Sequence, residues 1–176
     1  IGCAYIASDL QADFAPLTLG GGQQNGLRSG TLPLPLIVGL SKAFELFNDE
    51  ENRISHRQSL AQLRDDFWFA LKQKIPVLEL NGPRLNDRHP GNLNIYFPEI
   101  RASDLLMSIQ PQLCASSGSA CSSGSIEPSY VLLALYGDSA RAESSVRLSL
   151  ETINAPSDLE NAVEILSASY LKLKES

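Results

Sequence analysis

The chain has 176 residues, of which 43% are hydrophobic and 19% are charged, a composition typical of a folded globular protein. This length suits one domain or a large piece of one. No basic stretch offsets the formal net charge of −6, which argues against nucleic-acid binding. The longest apolar runs fall far short of the roughly 20 residues that cross a bilayer, so no membrane segment is expected.

The three cysteines favour a reducing, cytoplasmic setting. Cys3, Cys114 and Cys121 make an odd count without CxxC spacing, so the sequence indicates neither a disulfide framework nor a zinc site. Residues 1–10 have no positive region and no long apolar region, so they do not resemble a signal peptide. They are typical of the middle of a strand, which suggests that the chain is cut from a longer protein.

In chain order, the first half predicts a strand, a loop and two helices. Residues 2–7 mix small, apolar and aromatic side chains as a buried strand does, and the glycine-rich residues 19–33 predict a loop. Residues 35–47 carry apolar side chains at helical spacing after a proline. A longer helix is predicted over residues 52–75, with one apolar face formed by Leu60, Leu63, Phe67, Leu71 and Ile75.

The second half predicts two strands and three helices. Alternating side chains predict strands over residues 92–97 and 144–150. The helices are a short one over 103–109 capped by Ser103, one bracketed by Pro128 and Gly137, and a last one opened by a capping box of Ser157 and Glu160. This alternation indicates an α/β or α+β fold, with a domain boundary near residues 65–80.

Cys121 lies in a stretch, residues 116–125, made almost entirely of serine, glycine and alanine. A buried structural cysteine usually has apolar neighbours, and we expect Cys3 and Cys114 to be of that kind. The neighbours of Cys121 instead permit motion and supply hydroxyl groups and backbone donors. This setting favours a reactive thiol over a passive loop cysteine.

The glycine-rich segment of residues 20–31 is a second candidate. Its N–H groups, its terminal Thr31 and the charge of Arg28 suit an anion such as phosphate. The spacing is not that of a P-loop, however, and a flexible surface loop has the same composition. On composition alone both interpretations stay open.

Arg147 is a third candidate, on the predicted strand 144–150. Alternation places its apolar neighbours on one face and Arg147 on the other. Such an arginine is either a solvent-facing charge at a sheet edge or a fork for a carboxylate. His56 and His89 lie in polar surroundings that complete no catalytic pair, and we interpret both as surface residues.

The chain resembles the C-terminal part of the IscS/NifS-type cysteine desulfurases in four segments that occur in the same order: GGGQQNGLRSGTLP, GNLNIYF, SSGSACSSGSIEPSYVLLALYG and SSVRLSL. These are pyridoxal-phosphate (PLP) enzymes of fold type I, in the class V aminotransferase group. The resemblance covers essentially the whole chain. It implies the end of a large PLP-binding domain with a bridging helix over residues 1–70. A small domain would follow over residues 71–176, with a short, mainly antiparallel sheet, packed helices and a Cys loop at 116–126.

The resemblance also implies residue roles. Cys121 matches the cysteine that takes sulfur from L-cysteine as a persulfide, with L-alanine as the other product, and a serine- and glycine-rich loop would let it move. Arg147 matches the arginine that holds the substrate carboxylate. Thr31, with Gly30, matches the segment that reaches the PLP phosphate of the partner subunit in a homodimer. Sulfur acceptors and iron–sulfur scaffold proteins are the partners that the resemblance implies.

The resemblance is incomplete in three places. The family's lysine, which binds PLP covalently, would lie just before residue 1, and no lysine here stands in such a motif, so this polypeptide alone is not expected to be active. Gln24 and Asn25 replace a usual Glu and Arg. Glu151 and Thr152 replace a usual Gly and Arg, and Glu151 would be placed to compete for the Arg147 guanidinium.

Two alternatives differ from a desulfurase. A related cysteine or selenocysteine lyase would use the same cofactor without needing a persulfide on Cys121. A non-catalytic module that dimerises or binds a desulfurase would account for the absent lysine, although the Cys loop and Arg147 argue against it.

Overall fold

The computed structural model describes residues 1–117 and 128–175. The helices in these ranges are α1 (Leu34–Asn48), α2 (Glu50–Lys74), α3 (Ala102–Ile109), α4 (Tyr130–Tyr136), α5 (Ser139–Glu143) and α6 (Pro156–Lys174). The strands are β1 (Glu79–Leu80), β2 (Asn92–Tyr96), β3 (Ser116–Ser117) and β4 (Ser145–Ser149). The chain divides into two compact units, Ile1–Arg53 and Ile54–Ser176, at a point inside α2. The sequence-based domain boundary at residue 70 lies later in the same helix.

The first unit consists of irregular chain followed by α1. Residues 2–7 do not form the predicted strand, because no segment of the described chain pairs with them and a strand needs a hydrogen-bonded partner. Cys3 is exposed, so its predicted burial is also wrong. The predicted loop over residues 19–33 is confirmed and contains one short 3-10 turn, Gln23–Gly26. The helix predicted over 35–47 is confirmed as α1.

The second unit is built on a four-stranded antiparallel sheet with the order β1-β2-β4-β3. In the β2–β4 pair, Leu93 lies opposite Leu148 and Ile95 lies opposite Val146. These side chains are buried on one face of the sheet. The alternation predicted for both strands is therefore confirmed, and it leaves the polar residues of β2 and β4 on the other face.

Three helices cover the apolar face of the sheet. Leu71 of α2, Leu105 of α3 and Leu166 of α6 are fully buried in the same hydrophobic cluster as the strand residues. The predicted apolar face of α2 is confirmed, since Leu60, Phe67, Leu71 and Ile75 are buried and Leu63 is half-buried. This core holds the sheet rigidly enough to position side chains on its opposite face.

Two predicted helix caps are wrong. α3 begins one residue before Ser103, whose hydroxyl donates to the Asp104 carboxylate at 3.2 Å. α6 begins at Pro156, because proline suits the first helical turn, and the Asp158 carboxylate accepts the backbone N–H of Ala155 at 2.9 Å. The capping box of Ser157 and Glu160 is therefore replaced by a cap two residues earlier.

The bracketing of α4 is confirmed at both ends. Ser129, directly after Pro128, caps the helix by accepting the backbone N–H of Leu132 at 3.5 Å. Gly137 ends it in the left-handed conformation, with φ 64°. Only Leu132 of the seven helix residues is buried, so apolar packing contributes little to holding α4 in place.

Gly91 provides a test of the close contact between the start of β2 and the end of β4. Its carbonyl oxygen accepts the Leu150 N–H at 2.8 Å, and a Cβ at this position would lie 2.5 Å from the Leu150 oxygen. We expect Gly91→Ala to lower the free energy of unfolding by about 1–3 kcal/mol, because backbone must shift to make room. Thermal or urea unfolding measures the change.

Gly39→Ala is the matched control for this substitution. A Cβ at Gly39, in α1, would meet no atom within 4 Å. Removing a helical glycine there should raise stability by about 0.5–1 kcal/mol. Equal effects of the two substitutions would contradict the close packing inferred at Gly91.

Tyr170 predicts a pH dependence of stability. Its hydroxyl donates to the Pro98 carbonyl at 3.1 Å, and burial raises the pKa of Tyr170 above its usual value of about 10. A raised folded-state pKa means that the stabilisation is complete below the unfolded-state pKa and is lost as pH rises through the folded-state pKa. A near-ultraviolet absorbance titration follows tyrosine ionisation. We expect its final step to be absent in Tyr170→Phe and present in the control Tyr5→Phe, which replaces an exposed tyrosine. Retention of that late step in Tyr170→Phe would contradict this assignment.

Candidate functional site

The polar face of the sheet carries Arg147 in its interior. β4 lies between β2 and β3, and Arg147 is opposite Asn94 on one side and Ser116 on the other. Arg147 is exposed, whereas its neighbours Val146 and Leu148 are buried. Arg147 is therefore not a charge at a sheet edge, which was one of its two interpretations.

The Arg147 guanidinium has no hydrogen-bond, ion-pair or ring partner among residues 1–117 and 128–175. Five N–H donors on a rigid, exposed strand are thus available to an external acceptor. A carboxylate is the group whose geometry best matches that planar fork. Its role in substrate binding stays a prediction.

Glu151 does not contact Arg147. Its Oε1 lies 3.2 Å from Nε2 of His56 and accepts the backbone N–H of Thr152 at 2.7 Å. That backbone hydrogen bond is the main cause of a lowered pKa of Glu151. The competition for the guanidinium expected from the sequence is therefore absent, and His56 is half-exposed as predicted.

Arg141 organises a cluster that the sequence did not reveal. Its guanidinium lies between two rings, 4.8 Å from the centroid of Tyr96 and 4.3 Å from that of Tyr136. Its Nε donates to Oδ1 of Asn81 and its Nη1 to Glu79, both at 2.7 Å. We call these five residues the Arg141 cluster. Its partners come from β1, β2 and α4, and Asn81 is 60 residues away in sequence, so no local pattern could have identified it.

Asn81 connects the Arg141 cluster to the cross-strand row of Asn94, Arg147 and Ser116. Its Nδ2 donates to Oδ1 of Asn94 at 2.7 Å and to the hydroxyl of Ser145 at 2.8 Å. The Ser145 hydroxyl in turn donates to the Arg141 carbonyl at 2.6 Å. Arg141, Asn81 and Ser145 therefore form a ring of hydrogen bonds. One further bond leads from Asn81 to Asn94, the cross-strand neighbour of Arg147.

The glycine-rich loop of the first unit is held by its own hydrogen bonds. The buried Ser29 donates its hydroxyl to the Gly21 carbonyl at 2.6 Å, and the Gly30 N–H is donated to Oε1 of Gln23 at 3.2 Å. Gly30 has φ 122°, a conformation that disfavours any side chain. These contacts argue against the flexible-loop interpretation.

Thr31 is one of the side chains of this loop whose donor is available to an external acceptor. It is exposed, and its hydroxyl has no partner within the described ranges. Arg28 is close in sequence, but its Nη1 already donates to the Thr18 hydroxyl at 3.3 Å and to the Ser29 carbonyl. The Thr31 hydroxyl is thus available to an acceptor such as a phosphate oxygen, whereas the Gly30 N–H is occupied. Its contact with a PLP phosphate stays a prediction.

Covalent attachment of PLP finds no support in the described lysines. Lys42 pairs with Glu45, Lys72 with the carbonyls of Pro76 and Leu78, Lys74 with Glu164, and Lys174 with Glu99. That no lysine of this chain binds PLP stays a prediction from the sequence.

Cys121 lies outside the described residues, as does most of the predicted Cys loop at 116–126. The ends of that segment are described: β3 leads into it and α4 follows it. Cys114 is a free, exposed cysteine, so its predicted burial is wrong. It is the natural control for experiments on Cys121.

The described residues contain no helix with the length and apolar character that a membrane crossing requires. The family described as Aminotransferase class-V matches residues 1–162. A "Cysteine desulfurase, mitosomal" of Trachipleistophora hominis is 38% identical over 99% of this chain and 40% of its own length. A "Cysteine desulfurase IscS" of Rickettsia bellii is 36% identical over 99% of this chain and 42% of its own length.

Solved structures agree with these relatives. A "NIFS-LIKE PROTEIN" aligns with a TM-score of 0.71 and 27% identity, over 87% of this chain and 38% of its own. A NifS-like protein from Rickettsia africae aligns with a TM-score of 0.67 and 27% identity, over 89% of this chain and 40% of its own. The predicted fold class is thereby confirmed. The chain spans about two fifths of the length of the curated relatives that it matches.

Proposed function

Because this chain belongs to the class-V aminotransferase family, we propose that it forms the C-terminal part of a PLP-dependent cysteine desulfurase. The observation that supports this most directly is the alignment of nearly the whole chain with proteins named cysteine desulfurase, at 36–38% identity. PLP, when bound, supplies the electron sink for this chemistry. The chain's own residues bind and orient the substrate and receive its sulfur.

Arg147 is proposed to hold the α-carboxylate of L-cysteine. The guanidinium is exposed on a rigid strand and has no partner among the described residues, as a binding group for a carboxylate requires. Two parallel N–H···O hydrogen bonds would fix both the position and the plane of the carboxylate.

Thr31 is proposed to donate its hydroxyl to the PLP phosphate of a partner subunit, with Gly30 allowing the close approach. The exposed hydroxyl and the left-handed glycine beside it support this role. A site completed in this way by a second subunit would make the protein a homodimer.

Cys121 is proposed as the sulfur acceptor. A bond forms between its Sγ and the sulfur of L-cysteine, and the Cβ–S bond of the substrate breaks. The electron pair of the broken bond stays with the carbon skeleton, which gains a proton and leaves as L-alanine. Cys121 keeps the sulfur as a persulfide, so no external oxidant or reductant is needed.

The persulfide sulfur would then pass to an acceptor protein, such as a scaffold for iron–sulfur clusters. We place this activity in the cytoplasm, in line with a reducing setting for Cys121.

Cys121→Ala tests the nucleophile. In the complete PLP-loaded enzyme that contains this chain, given L-cysteine and a thiol reductant, we expect formation of L-alanine and sulfide to fall by at least 100-fold, while PLP absorbance is unchanged. Cys114→Ala, the exposed cysteine at the other side of β3, should keep full activity.

The outcomes of this experiment separate the candidate functions. Undiminished sulfide release by Cys121→Ala would favour a lyase, which needs no persulfide. No L-alanine from the complete wild-type protein, including the part that would carry the PLP lysine, would favour a non-catalytic module.

Arg147→Lys tests the carboxylate contact. Lysine keeps the charge but loses the planar pair of donors, so we expect KM for L-cysteine to rise about tenfold or more. Steady-state kinetics measure the change, with Arg57→Lys on the exposed surface of α2 as the matched control. An unchanged KM in Arg147→Lys would refute the proposed contact between Arg147 and the substrate carboxylate.

A further inference from the structure

Asn94 is the polar side chain on β2 that lies directly across from Arg147. Side chains opposite each other in an antiparallel pair have Cβ atoms roughly 4.5–5.5 Å apart and point to the same face. A ligand held by Arg147 would therefore also be within reach of Asn94.

The orientation of the Asn94 side-chain amide is determined by the Arg141 cluster. A guanidinium can only donate hydrogen bonds, so the atom of Asn81 that meets Nε of Arg141 must be the amide oxygen. The amide nitrogen of Asn81 then points the other way and donates to Asn94 at 2.7 Å. The atom of Asn94 that receives this donation must be its oxygen.

This leaves the Nδ2 group of Asn94 without a hydrogen-bond partner among the residues described here. The same bond turns the Asn94 oxygen toward Asn81. The row therefore presents donors from both residues, an arrangement that suits an anion with two oxygens.

We propose that Asn94 is a second carboxylate-binding residue, which donates Nδ2–H to the substrate carboxylate held by Arg147, and that Asn81 and Arg141 are positioning residues that fix the Asn94 amide. The proposal deepens the function proposed above and depends on its carboxylate substrate. It also assigns specificity: an ester or amide of the substrate lacks the second charged oxygen that this pair of donors requires.

Asn94→Asp is the sharpest test, because it keeps the shape of the side chain and the oxygen that accepts from Asn81. The new carboxylate removes the donor, repels the substrate carboxylate and can also pair with Arg147, which lies opposite. Asn94→Ala, which removes the donor without adding charge, should therefore raise KM as well. In the complete PLP-loaded enzyme we expect KM for L-cysteine to rise at least tenfold and kcat to change less than threefold. Asn86→Asp, an exposed residue with the same change in charge, should stay within twofold of wild type. A KM for Asn94→Asp as close to wild type as that of Asn86→Asp would overturn the proposal.

Arg141→Met tests the positioning role through Asn94. It removes the donor that orients Asn81, so we expect a several-fold higher KM in the wild-type background. In an Asn94→Ala background, where no amide is left to orient, the same substitution should change KM less than twofold. An equal increase in both backgrounds would show that Arg141 acts on general structure and would overturn its assigned role.

A binding measurement keeps this inference separate from the catalytic one. The side-chain NH₂ resonances of Asn94, identified by their loss in Asn94→Ala, are followed by NMR during titration with L-alanine and with L-alanine methyl ester. We expect a saturable shift with L-alanine and none with the ester. A shift in a complete PLP-loaded protein that forms no L-alanine from L-cysteine would support the carboxylate site and refute the desulfurase. No shift in a protein with desulfurase activity would refute only the Asn94 contact.

Discussion

The pairing of β2 with β4 is the constraint on which the second unit depends. These strands lie about fifty residues apart in sequence and occupy the centre of the sheet. Their register places Leu93 with Leu148 on the face that the helices bury, and Asn94 with Arg147 on the opposite face. A slip of one residue would exchange the two faces, so burial of the leucines favours the register that leaves Arg147 exposed. Core packing and the position of the candidate site are thus determined together.

Polar contacts attach α4 to the sheet, where apolar packing is sparse. α4 buries only one of its residues, yet its last side chain, Tyr136, packs on Arg141 and accepts the backbone N–H of Gly82 at 2.7 Å. Arg141 therefore joins the helix that follows the Cys121 segment to the edge of the sheet. Through Asn81 it also reaches the row of Arg147. The geometry of a substrate site on this face would therefore depend on the contacts of Arg141 with Tyr136 and with Asn81.

Sequence periodicity was sufficient to predict the elements in which buried and exposed side chains recur at a regular spacing. The strands containing Leu93 and Arg147 and the apolar face of α2 were predicted because alternation and helical spacing follow directly from backbone geometry. Residues 2–7 have the composition of a strand, but a strand exists only with a partner, which composition does not encode. The cap of α6 was misplaced because Pro156 begins the helix before the Ser157 motif. Contacts such as Arg141 with Asn81 join distant positions and carry no local signal.

The central claim is that this chain supplies the cysteine that receives sulfur from L-cysteine. The most direct test is the mass of the peptide containing Cys121 after the complete PLP-loaded enzyme has reacted with L-cysteine and been alkylated without reduction. We predict a mass increased by one sulfur atom on Cys121 and on neither Cys3 nor Cys114, removed by reductant. L-Alanine formation with no added sulfur on Cys121, or with the sulfur on Cys114, would contradict the account.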